Sequence, residues 1–500
     1  MKIAALIAIC AAFAADLPVR AAPALWSGLE PGTYSVGYRA RTEIDSSRAA
    51  FDKQVLGRTV GIQVWYPAAP SAEPPMRFDR YVLDEYGLTD REATADERRA
   101  AIAAFTATLN PDLREPVRIE RLISMPTSAR RDAPFAPGTF PLVLYFHNGA
   151  ASKSAQCEYL ASHGFVVVST AVAGTFERDL DVGLTGAETQ ARDLELAAGW
   201  AAANLPVDRL SAGVVGMSFG GISELIYAAR HPEVRAIVSL DGGAGSLSGA
   251  ALVQESPYFE TARVHAPMLV LYSPEGADLR FLESLRYSER TFARFPSLHH
   301  GDFSGSGFFR AAASSGSDDP SAAARQAMNG LMLRFLRAHL AGDREDAKRL
   351  DDPAASKSPA FDLTRRSALP APPTFEEWKA MLRTGDFASV TKTCDRLKER
   401  DAAPISPETF RKLGSWLFDE GRSEDARWLF QLQVSMYPKS ARAQFFLAVA
   451  CQRLDDKRAA REHFTATLDL LPTDFEVDPP TRLRLETTAR ESLVSLGSAA

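Results

Sequence analysis

Between Thr33 and Pro67 apolar and polar residues alternate, first in "TYSVGYRARTEI" and again in "GRTVGIQVWYP". That two-residue period belongs to strands with one face in water. The rhythm is lost over residues 68–138, where Pro-rich flanks enclose "DERRAAIAAFTATL", whose alanines and apolar residues recur at helical spacing. This segment is expected to be an insertion or cap. From Phe140 to about Leu340 short apolar runs, "PLVLYF", "GFVVVST", "AGVVGM", "RAIVSL", "PMLVLYS" and "RTFARF", alternate with helical patterns. Buried strands separated by helices predict an α/β domain, a mostly parallel sheet with helices on both faces, over residues 22–340. It closes with the amphipathic "ARQAMNGLMLRFLRAHL", and the charged, Pro-rich residues 341–373 then read as a linker.

Residues 374–498 carry an internal period. Leu413 and Leu447, Ala426 and Ala460, Phe430 and Phe464, and Pro438 and Pro472 are each separated by 34 positions. Small alanines at fixed offsets let paired helices approach, large residues fill the groove between them, and proline ends each unit. The register, with Gly414 beside Leu413, resembles the tetratricopeptide repeat. A degraded copy is expected from Trp378 to Leu397, where "GDFASVTKTC" echoes "GRSEDARWLF", and "RLRLETTARESLVSL" is expected to cap the array. An all-α repeat module of this kind points to a protein partner or to domain packing rather than to chemistry.

The start of the chain changes where the protein is expected to work. Lys2 precedes an apolar stretch from Ile3 to about Ala15, too short for a membrane span and followed by small residues suited to cleavage after Ala14 or Ala21. Residues 1–21 therefore read as a signal peptide, and the mature protein as periplasmic or secreted with no transmembrane segment. Removing them leaves Cys157, Cys394 and Cys451, too few and too scattered for a disulfide framework or a metal cluster. With 500 residues and a net charge of −6, the chain has room for more than one core but no basic field for nucleic acid. There is no Walker loop and no HExxH helix, and "GGAGSLSG" lacks dinucleotide spacing, so neither metal nor organic cofactor is expected.

The candidate chemistry lies in "VVGMSFGGISELIYAARHP". Gly216 to Gly220 reads GxSxG at the end of an apolar strand and the start of a helix, the setting of a nucleophile elbow. Gly216 and Gly220 remove side chains that would collide with strand and helix, and Gly221 lets the helix pack close. Ser218 is then exposed above the sheet. The Phe219 amide, at the positive end of the helix, faces the oxyanion that would form there.

A serine hydroxyl needs a histidine to take its proton and a carboxylate to orient that histidine. His163 and His231 fall at helix ends away from the strand tips, His265 precedes a strand, His339 lies in the closing helix and His463 in the repeats. His299 and His300 follow the last strand, "RTFARF", where the order Ser, acid, His places the base. Two acids fit that order equally: Asp241 after "RAIVSL" and Asp278 after "PMLVLYS".

Taken together, "PLVLYFHNGA", "YLASHGFVVVS", "GMSFGG", "SLDGG" and "HHGDF" resemble the α/β-hydrolases of the platelet-activating-factor acetylhydrolase and dienelactone-hydrolase-like group, over about Phe140 to Leu340. In the acetylhydrolase branch the acid follows the strand after the nucleophile helix, which falls on Asp241, and the base opens an HxxF pattern, which falls on His300. The resemblance places the second oxyanion amide at Asn148 or Gly149, in "HNG" where His-Gly is usual. A serine where dienelactone hydrolases carry cysteine favours general ester chemistry. The resemblance thus implies an exported serine hydrolase acting on a small or lipid-like carboxylic ester. Its alternatives are a serine peptidase on the same fold and a non-catalytic scaffold that binds protein through its repeats.

Overall fold

The structure is a computed structural model that describes residues 24–48, 57–89, 91–146, 149–175, 180–257, 259–313, 319–352, 357–370, 372–399, 405, 407–474, 477 and 479–497. The expected leader, residues 1–21, lies outside the described residues. Contacts divide the chain after Leu369 into two units.

The alternating segments at the start of the first unit form β1 (Ser35–Asp45) and β2 (Arg58–Ala68), paired antiparallel with Ser35 opposite Ala68. Residues 68–138 supply helices α1 (Asp79–Glu85), α2 (Ala95–Thr108) and α3 (Pro116–Ser124). They also supply β3 (Ala129–Arg131), which joins the edge of the sheet beside β1. The α2 start is fixed by a reciprocal cap, in which the Thr94 hydroxyl accepts from the Glu97 amide and the Glu97 carboxylate accepts from the Thr94 amide.

The apolar runs that follow are β4 (Phe140–Phe146), β5 (Val166–Thr170), β6 (Val207–Met217), β7 (Val234–Leu240), β8 (Met268–Tyr272) and β9 (Arg290–Arg294). They alternate with α4 (Ala150–Ser162), α5 (Leu184–Asn204), α6 (Gly220–Arg230), α7 (Leu247–Glu255) and α8 (Arg280–Ser284), and then come α9 (Gly305–Ala313) and α10 (Ala322–Leu336). Strands β5, β4, β6, β7, β8 and β9 lie side by side and parallel, with β2 antiparallel against β5. Successive residues of β4 serve opposite faces. Val143 and Tyr145 join the core with α4 and α10, while Leu142, Leu144 and Phe146 join the core with α5 and α6. Burial of both faces makes these strands continuous apolar runs. The buried Glu158 of α4 accepts from Trp26 Nε1, Tyr81 Oη and the Ser128 amide, tying the N-terminal segment and the insertion to this layer. Burial pushes its carboxyl up.

The expected linker is not one over most of its length. Residues 344–351 form α11 (Arg344–Asp351), capped by Asp343. Two further strands, β10 (Lys357–Ser358) and β11 (Phe361–Arg366), extend the sheet, β11 pairing antiparallel with β9 from Asp362 opposite Arg294 to Arg366 opposite Arg290. Phe361 and Leu363 pack on the core while Asp362, Thr364 and Arg366 face water. A strand near the sheet edge with charges on its wet face has the composition of a linker, and only its two-residue period distinguishes it.

The second unit is all helical: α12 (Phe375–Arg383), α13 (Phe387–Lys398), α14 (Pro407–Asp419), α15 (Ser423–Met436), α16 (Ala441–Arg453), α17 (Lys457–Leu470) and α18 (Pro479–Gly497). The positions separated by 34, Leu413 and Leu447, Ala426 and Ala460, and Phe430 and Phe464, are all buried in one core. A Cβ at Gly414 would overlap the Phe430 ring, so the α14–α15 contact requires glycine there. Among the described residues, no helix is long and apolar enough to cross a membrane and no group of side chains could hold a metal ion.

Candidate active site

Strand β6 ends at Met217, and Ser218 takes φ +55° before α6 begins, a conformation costly for a residue with a side chain. The surroundings hold it there. Its amide donates to the Leu240 carbonyl at 3.3 Å, and its carbonyl accepts from the Gly221 and Gly243 amides at 2.9 and 2.6 Å. A Cβ on Gly216 would lie 2.5 Å from the Glu224 carboxyl, and one on Gly221 the same distance from the Gly242 Cα. At Gly220 it would overlap the Phe146 carbonyl oxygen. Backbone cannot retreat as a flexible side chain can, so Gly220→Ala is expected to lower the thermal midpoint by about 5 °C or more. An unchanged melting curve would show that the elbow tolerates the side chain. Glu224 itself is wholly buried on α6 under the elbow, and burial pushes its carboxyl well up.

Over this serine the structure brings His300 and Asp241. His300 Nε2 is 2.9 Å from Ser218 Oγ, and His300 Nδ1 is 2.7 Å from Asp241 Oδ2. With the carboxylate accepting from Nδ1–H, Nε2 presents its lone pair to the serine hydroxyl. Asp241 follows β7 at φ +45°, which turns its carboxylate across the strand ends toward the base. The imidazole is half exposed and the carboxylate mostly covered, with side-chain exposures of 55% and 13%. A substrate can therefore reach Nε2 while the acid stays out of bulk water.

The alternatives lie elsewhere. Asp278 is held by Arg280, with Nε to Oδ1 at 2.9 Å, and that hydrogen bond draws its carboxyl down to about 2. Its amide donates to the Gly245 carbonyl. His299 is 83% exposed, with Nδ1 3.6 Å from Glu275, and its amide donates to Asp302 Oδ2. The difference between the two histidines comes from the short 3₁₀ turn His300–Phe303. Asp302 and Phe303 point into the protein, where Phe303 meets Phe295 and Asp302 meets the buried Arg325 and the more exposed Arg310. That anchoring leaves His300 over the elbow. Of the other histidines, His163 caps α4 and is lowered to about 4 by burial and the nearby Arg337, and His231 stands between Glu195 and Glu233.

Phe219 and Gly149 stand at the N-caps of α6 and α4, and Gly149 has φ +75°. These are positions where amides and helix dipoles favour an anion. Asn148, the other candidate for the second amide, lies outside the described residues. Two further side chains border the site from the insertion. A Cβ on Gly149 would overlap the Glu85 carboxyl, and one on Gly301 would lie 3.5 Å from Asn110 Nδ2. The Asp112 carboxylate meets Arg310, which also reaches Asp302 in the base turn. Nothing in the local sequence of Glu85 or Asn110 marks them, because their position depends on how the insertion folds back over the strand ends.

Residues 60–281 match the family model of the X-Pro dipeptidyl-peptidases (S15 family). The match runs from β2 through Ser218 and Asp241 and ends before His300. A search of curated protein sequences finds no significant match. Among solved structures, a ferulic acid esterase from Streptomyces cinnamoneus is similar at 19% identity and a TM-score of 0.46, over 67% of this chain and 97% of that one. The first unit is an α/β-hydrolase, followed by an all-helical region, and its site is that of a serine hydrolase.

Proposed function

We propose that the protein hydrolyses a carboxylic ester by acyl transfer through Ser218. One observation carries this reading: a serine on a positive-φ elbow within hydrogen-bond distance of a histidine that a carboxylate orients. Ser218 Oγ attacks the acyl carbon as its proton passes to His300 Nε2, and the carbonyl oxygen takes the charge. The amides of Phe219 and Gly149 meet that charge, and removing one such donor typically costs about two to three powers of ten in rate. Asp241 stabilises the imidazolium. His300 then returns the proton to the leaving alcohol and repeats the cycle with water, which releases the acid and restores Ser218.

The resemblance of "SLDGG" and "HHGDF" to the acetylhydrolase branch supports an ester, small or lipid-like. A second reading, a serine peptidase, has the support of the S15 family match. Residues 1–21 would direct the chain out of the cytoplasm, and the helical unit, with its tetratricopeptide-like period, would bind a protein. Two substrates separate the chemical readings: p-nitrophenyl butyrate and alanyl-prolyl p-nitroanilide. The ester is expected to show Ser218-dependent kcat/KM of about 10⁴ M⁻¹ s⁻¹ or more, within the ordinary enzyme range, and the anilide none. Anilide turnover at that level would assign a peptidase. Turnover of neither would favour a scaffold.

A further inference from the structure

Strands β7 and β8 run parallel with Leu240 beside Leu271, so the residues just past their ends, Asp241 and Ser273, stand side by side above the sheet. The Asp241 amide donates to the Leu271 carbonyl at 2.7 Å, which fixes this part of the loop to β8. Ser273 is 1% exposed and spends its polar groups on the Asp241 carboxylate. Its amide donates to Oδ1 at 2.9 Å, and its hydroxyl lies 3.3 and 3.2 Å from Oδ1 and Oδ2. The hydroxyl carries one proton and sits almost equally far from both oxygens, so it bridges them. Oδ2 also meets His300 Nδ1 at 2.7 Å.

We infer that Ser273 is a positioning residue for the triad, its hydroxyl holding the plane of the Asp241 carboxylate and drawing charge from it, and thereby setting the basicity of His300. The inference rests on the acyl-transfer reading. A carboxylate held by one amide at Oδ1 can still rotate about that bond, and the bridging hydroxyl opposes the rotation, so Oδ2 stays aimed at Nδ1. The same hydrogen bond spreads the negative charge. Without it, more charge faces the imidazolium, the protonated form of His300 is favoured, and the base becomes available only at higher pH.

The test is the pH profile of kcat/KM for p-nitrophenyl butyrate in full-length protein. Ser273→Ala removes one oxygen from a buried site. It is expected to lower the plateau about tenfold, the usual scale for a hydrogen bond to a charged group, with KM unchanged. The acid limb should move up by about half a pH unit. Ser273→Cys keeps the volume with a weaker donor and should fall between parent and alanine in both respects. The titratable groups around the base turn and the elbow, among them Asp302, Arg310 with Asp112, Arg325 with Asp319, Glu275, Glu85 and Glu224, are common to the three proteins, so a graded shift belongs to position 273. A plateau equal to the parent's overturns the inference, and so does a lowered plateau with an unmoved acid limb, which would mean a structural role. Ser218→Ala, assayed alongside, keeps the two readings apart. If it remains active, acyl transfer through Ser218 falls, whereas Ser218-dependent turnover that ignores Ser273 removes only the role of Ser273.

Discussion

Ser218→Ala is expected to lower ester turnover by about five to six powers of ten, down to what binding and the oxyanion amides alone provide. Its melting curve is expected to stay that of the parent. Both outcomes follow from where the elbow draws its support. The strained backbone is held by the amide and carbonyl of residue 218, bonded to Leu240, Gly221 and Gly243, and by the space that Gly216, Gly220 and Gly221 leave open. The hydroxyl takes no part in that framework, and its partner is His300 Nε2. An alanine can occupy the position with the φ +55° cost the serine already bears. The measurement is kcat at matched concentrations of folded protein, together with labelling by a fluorophosphonate. The parent should carry one adduct on the peptide containing Ser218, and the variant none. Activity within tenfold of the parent, or a label on another serine, would remove Ser218 from the mechanism.

Ser218 was legible because everything that marks the elbow is local: an apolar strand, glycines two residues either side, and a helix that begins at once. The parallel sheet was legible for a related reason, since strands covered on both faces have no polar positions to interrupt the apolar run. The partners were harder. Chain order narrows the acid to Asp241 or Asp278 and the base to His299 or His300, but one of each pair must point away. What decides is the left-handed turn at Asp241, the Arg280 that holds Asp278, and the inward Asp302 and Phe303 that fix the base turn. None of these has a periodic signature. Strand β11 was hidden by its charged outer face, and Glu85, Asn110 and Ser273 by the absence of any motif. Their neighbourhood to the site is created by strand register and by the fold of the insertion.

Asp241→Asn is expected to lower kcat/KM by about four powers of ten, and Asp278→Asn to leave it within a factor of about two. The first effect is one of tautomer rather than of lost contact. Asparagine can replace the carboxylate with little change of shape, but its amide group can donate toward Nδ1. The ring then carries its proton on Nε2, where it faces Ser218 Oγ and can no longer accept from the hydroxyl. The imidazolium that forms during attack also loses the negative charge 2.7 Å from Nδ1. Ser273 would not restore the balance, because its amide and hydroxyl both donate and would still find the remaining carbonyl oxygen of the asparagine. Asp278, by contrast, spends its charge on an exposed Arg280 two residues on, and solvent screens that pair. Both variants should fold, and matched melting curves would establish that the comparison is chemical. If Asp278→Asn proved the more damaging, the acid role would belong to the loop after β8 and the observed pairing of Asp241 with His300 would not be the working one.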